Sequence, residues 1–222
     1  MATNPNRRNA RGVWKLKDIQ SFKQDGEYPN GAAIGIFAGG GGPSSNVIDF
    51  IQTSSTGNAA DFGDLVATTV GPSATSNATR CLISGGYEPS VQYSDRIQYI
   101  TPSTTGNTLD FGNLTAGCGY PAGVSNSTRV VQSNGAAPGT NEVTMDTMVF
   151  ATLGNATDFG DLTSPGKYGE ASAANSVRGL IAGGRDPDAS PIYVTDIDMF
   201  NFASTGSGTD FGDLLSGTHY FG

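Results

Sequence analysis

Apolar and polar residues alternate with a period of two in four related stretches of the chain: NVIDFIQTSSTGN (46–58), DRIQYITPSTTGN (95–107), DTMVFATLGN (146–155) and DIDMFNFASTGS (196–207). That period is the mark of a β-strand with one face on a core and one toward water. A second pattern precedes each of them and ends in glycine: PNGAAIGIFAGG (29–40), SNATRCLISGG (76–86), SNSTRVVQSNG (125–135) and ANSVRGLIAGG (174–184). The paired glycines mark a place where a Cβ does not fit or the backbone approaches a neighbour closely. A third pattern follows, an Asp-Phe-Gly string beginning at Asp61, Asp110, Asp158 and Asp210, in steps of 49, 48 and 52 residues.

One unit therefore reads as four short strands of an antiparallel sheet. Strand a is weak, as in KYGEASAA (167–174); a turn at Asn77, Asn126 or Asn175, expected to adopt a left-handed backbone, leads into strand b. Strand c is the alternating aromatic and β-branched run, and strand d carries Asp-Phe-Gly. Four sheets of this kind, with a period near 50 residues, predict an all-β propeller with four blades over residues 31–222 and a separate arm over 1–30. The first unit lacks a strand a, and SGTHYFG (216–222) reads as the start of one. Completion of the first sheet by this C-terminal segment would close the ring within one chain; the other arrangement is an open array completed by a second subunit.

Asp-Phe-Gly also spells the magnesium loop of protein kinases. Four copies in phase, with a single histidine, His219, and no His-Arg-Asp loop, point to architecture instead. Phe62, Phe111, Phe159 and Phe211 are expected to pack between units, their glycines to permit a turn, and Asp61, Asp110, Asp158 and Asp210 to accept backbone N–H bonds. Arg80, Arg129 and Arg178 are expected to pair with strand-end aspartates.

Composition agrees with many tight turns: 32 glycines, and 14% charged residues, among 222. The net charge of -8 speaks against a nucleic-acid partner, which needs a basic surplus. No apolar run is long enough for membrane insertion. Cys81 and Cys118 are too few for a disulfide framework and read as small core residues. The glycine run GIFAGGGGP lacks the Lys-Ser/Thr of a phosphate loop. No catalytic set, cofactor site or metal site is assigned, and the chain reads as a non-enzyme.

The loops joining strands b and c vary most between units. Tyr87, Glu88, Tyr93, Arg185, Asp186, Asp188 and Tyr193 in those loops are the candidate receptor-facing residues. The arm is basic, with six Lys/Arg against three acids in residues 1–30. Its candidate anchoring residues are Arg11, Trp14, Leu16, Ile19 and Phe22, several on a short predicted helix stopped by Gly26.

The glycine-ended strand b, the I-x-Y-I strand c and a closing strand with one large aromatic resemble the kelch repeat, with Phe where kelch units usually carry Trp. GVWKLKDIQSFKQDGEYP followed by STGN-x-x-DFGDL repeats resembles particle-surface and tail-fibre-like proteins of tailed bacteriophages, especially cyanophages. That resemblance implies a virion component, made in the host cytoplasm, whose arm binds other virion proteins and whose propeller faces a host-surface glycan or protein. A kelch-like protein-binding adaptor is the second reading, and a carbohydrate-active enzyme the third. Receptor identity, head or tail location and homo-oligomeric state stay open.

Overall fold

The computed structural model describes residues 34–41, 43–135, 143–164, 167–186 and 190–219. The arm with Arg11, Trp14, Leu16, Ile19 and Phe22 lies outside them, as do Asp188 and the last residues of the C-terminal segment, 220–222. The described chain is all-β, folded into four antiparallel sheets in chain order. Unit 1 holds β1 (Ile34–Ala38), β2 (Val47–Gln52) and β3 (Ala60–Asp64). Unit 2 holds β4 (Ser73–Ser76), β5 (Cys81–Ser84), a short β6 (Tyr87–Glu88), β7 (Gln92–Ile100) and β8 (Leu109–Cys118). Unit 3 holds β9 (Gly123–Ser125), β10 (Arg129–Ser133), β11 (Thr144–Val149) and β12 (Thr157–Asp161). Unit 4 holds β13 (Ala171–Ala174), β14 (Arg178–Ala182), β15 (Asp196–Asn201) and β16 (Thr209–Asp213). Each is an a-b-c-d meander, with strand a absent from unit 1 among the described residues.

The alternation seen in the sequence sends neighbouring residues of each strand b to opposite neighbours. Cys81 and Ile83 join Ile48, Phe62 and Leu65 of unit 1, whereas Leu82 joins Phe111 of its own unit and Val130, Met148 and Phe150 of unit 3. A third cluster joins Val131, Met145 and Phe159 of unit 3 to Ile181, Phe200 and Phe202 of unit 4. The apolar core is thus three layers, each between consecutive sheets. Cys81 and Cys118 are free and buried in these layers, and burial raises their thiols to about 11 and about 12.

Asp-Phe-Gly is a β-bulge. The c–d pairing slips by one residue at the same place in all four units: Ile48 faces Gly63 while Asp49 faces Asp61, leaving Phe62 as the extra residue, and the slip recurs beside Ile97, Met145 and Ile197. An extra residue bends its strand and re-aims its side chain. Phe62, Phe111 and Phe159 are buried between sheets, as expected. Phe211 is not: it is 56% exposed, because among the described residues no sheet packs on the far side of unit 4.

The glycine of the string has a different reason from the turn expected of it. Gly63, Gly112 and Gly160 have φ of +151°, +152° and +140°, and a Cβ on them would strike the backbone of Gly106, Gly154 and Gly206 in the next unit. There the main chains of successive units are hydrogen-bonded: the N–H of Gly106, Gly154 and Gly206 donates to the carbonyl of Phe62, Phe111 and Phe159, at 2.7, 2.9 and 2.7 Å. Two residues on, Thr108, Ala156 and Gly208 donate to Asp64, Asn113 and Asp161. A side-chain latch completes each seam. Gln98, Asp146 and Asp198, all buried and all just past the slip, accept the N–H of Val66, Thr115 and Thr163 of the preceding unit at 2.8, 2.8 and 3.1 Å.

Two sequence expectations need correction. Asn77, Asn126 and Asn175 are not left-handed; each side-chain oxygen accepts the N–H of the arginine three residues on, closing the turn without a positive φ. Arg80 and Arg129 do not pair with aspartates: they donate to the Phe150 and Phe202 carbonyls of the next unit, with Arg80 over the Tyr99 ring and Arg129 over Phe159. The aspartate expectation holds at Asp158 and Asp210, which accept the N–H of Gly160 and Gly212.

Replacing one phenylalanine of the repeat at a time tests this packing. Phe111→Ala is expected to cost ~3–5 kcal/mol in urea denaturation, as for a buried aromatic, whereas Phe211→Ala, measured at a dilution where the chains are single, should change stability by under ~1 kcal/mol.

Candidate functional site: the hairpin-loop face

The b–c loops and the connectors from strand d to the next strand a share one end of the molecule. Their backbones are tied: Gly40 and Gly184 donate to the carbonyls of Thr69 and Thr218 in the connectors behind them, and Gly86 to that of Cys118 at the end of β8. Residues 215–219 follow this connector path, and no strand is formed there.

Aromatic rings line this end. Tyr87 and Tyr93 meet edge to face across the β6–β7 hairpin, with centroids 6.3 Å apart. In unit 4, Arg185 donates to the Tyr168 hydroxyl and lies over its ring at 5.5 Å, and Tyr168 sits 6.3 Å from Tyr120. Tyr193, 39% exposed, pairs through its backbone with Arg185 and stacks on His219 at 4.8 Å. Flat rings with polar tips and a guanidinium held by packing suit stacking on a sugar face or an aromatic side chain.

The structure brings Tyr87 and Tyr93 together, and Arg185 and Tyr193 together. Two candidates face inward instead. Glu88 is buried, accepting from the Ser94 hydroxyl at 2.6 Å with Arg96 at 3.8 Å, and its acid is used in holding the hairpin. Asp186 is buried as well, its N–H donating to the Ile192 carbonyl at 2.9 Å. Tyr168 and His219 lie in segments whose pattern reads as strand a, where alternation is weak, and Tyr120 lies between the repeated patterns, so none of the three carries a signal in the sequence.

Beneath the loops lies a buried ionic cluster. Lys167 stands 3.4 Å from Asp196 and 3.3 Å from Asp198, and Asp198 also takes the Thr163 N–H. Glu170 accepts from Ser133 at 2.6 Å, its other oxygen having no hydrogen-bond partner. Burial raises Glu170 to about 7, against the Ser133 bond and Lys167. Burial also raises Asp146, while the Ser164 hydrogen bond, with Lys167, lowers Asp196. Among the described residues no three His, Cys, Asp or Glu side chains gather as a metal site. No known family model matches this chain, and no curated protein matches it.

Glu170 makes stability fall with rising pH. Its native pKa of about 7 lies above the unfolded 4.5, so the native state binds the proton more tightly and loses stability as pH rises between those values. Asp146 acts in the same direction. Glu170→Gln is expected to flatten this slope between pH 5 and 8 and to stabilise the protein at pH 8 by up to ~3 kcal/mol, read from urea midpoints at the two pH values.

Proposed function

We propose that this chain is a non-enzymatic display protein of a tailed-phage virion, its four sheets the blades it contributes to a kelch-like propeller, attached through its arm and touching the host surface with its loop face. The supporting observation is how the repeated residues are used. Bulge phenylalanines, seam glycines, latch acceptors and turn asparagines all join strands or sheets, while side-chain variety is concentrated in the hairpin loops with their tyrosines and Arg185. A scaffold that repeats its joints and varies its loops suits presentation of a binding surface. The resemblance of the arm and of the Asp-Phe-Gly repeats to phage particle-surface proteins supplies the setting. The partners under this reading are other virion proteins at the arm and a host glycan or protein at the loops. The adaptor reading shares the loop face but gives the arm no attachment role.

Removing residues 1–28 separates the two. The truncated chain is expected to fold, by circular dichroism, and to be missing from purified particles that carry the full-length protein. Truncated chain found in particles at the full-length level would overturn the anchoring role.

A further inference from the structure

The three seams leave one set of unused halves. Unit 4 presents Phe211, which with Leu180, Met199 and Arg178 lines an open groove, and Leu215, fully exposed, follows Leu214 as Val66 follows Leu65. Leu180 and Met199 occupy the positions of Leu82 and Tyr99, which face the next sheet in unit 2. Gly212 has φ +140° with nothing within 4 Å of an added Cβ, whereas its three counterparts are each closed on by a neighbour's backbone.

Unit 1 presents the complementary half. Phe37, 58% exposed, stands where Ile83 and Ile181 face the preceding sheet. Asp49 occupies the latch position of Gln98, Asp146 and Asp198, just past the same slip in pairing, yet is only half-buried. Gly57 and Asn58, exposed here, match Gly106 and Asn107, whose N–H and side-chain oxygen hold Phe62 and Asp64.

Among the described residues these halves do not meet within the chain. Three seams are built from the same bonds, and both end faces of the array still lie open to water. The four units therefore leave half a seam at each end of the array. We propose that the fourth seam forms with a second copy of this chain: the Phe211 face of unit 4 docks on the Phe37 face of the other copy's unit 1. The Leu215 N–H goes to the Asp49 carboxylate, and the Gly57 N–H to the Phe211 carbonyl. The contact is head-to-tail, so it must close to avoid growing into a filament. Two copies close it with eight sheets, at the top of the usual propeller range of about four to eight.

Sedimentation velocity on the full-length protein tests this directly. The parent chain is expected at twice the 22.8 kDa of one copy. Phe37→Asp and Phe211→Asp, both at exposed positions, should each sediment as single chains with unchanged circular dichroism. Mixing the two variants should restore a two-chain species, because the mixture keeps one intact seam. A parent that stays single at every attainable concentration, an association that survives both substitutions, or no recovery on mixing would each overturn the proposal. None of these outcomes depends on whether the protein belongs to a virion.

Discussion

The hydrogen-bonded seam between consecutive sheets is the constraint from which the rest of the structure follows. A meander of three or four short strands has two apolar faces and cannot bury either alone. Here each sheet covers its neighbour, and the main chains are tied where they cross: the bulge carbonyl to a glycine N–H, and a buried Gln or Asp to the connector. The apolar layer supplies most of the driving force. The hydrogen bonds set the register, because a shift by one residue would leave buried Asp146 or Asp198 without its donor.

That division of labour accounts for the distribution of charge. Buried carboxylates are costly unless paired; Asp146 and Asp198 serve as latch acceptors, Glu88 holds a hairpin, and Glu170 lies beside Lys167. The Lys167 cluster lies where unit 3 meets unit 4 and ties the connector to the latch residue of the next sheet. The loop face above it carries aromatic rings braced by Arg185 and by one another, so its shape is set by contacts within the chain.

Much of this was legible in the residues. The 50-residue period, four antiparallel sheets, strand order within each unit and core positions for the two cysteines follow from repeats and from alternation of period two. The function of Asp-Phe-Gly was legible only in part. Phenylalanine as an inter-sheet residue could be read, but the bulge depends on the register of strand d against strand c, and the glycine's close contact on the neighbouring unit, about 45 residues away in sequence. The partners of Arg80 and Arg129 were illegible for the same reason, since their acceptors are carbonyls, which every residue has and no sequence pattern marks. Glu88 and Asp186 looked like loop acids facing solvent; each is turned inward, where local sequence carries no sign of it.

Each unit carries its own bulge and latch acceptor along with the glycine loop that receives the bulge before it. A stretch of coding sequence duplicated in frame thus arrives with both ends already fitted to its neighbours, and the chain can lengthen without repacking a core. Gly63 and Gly106, with no side chain between them, are what make such copying cheap for evolution, since nothing at that crossing has to be matched in size.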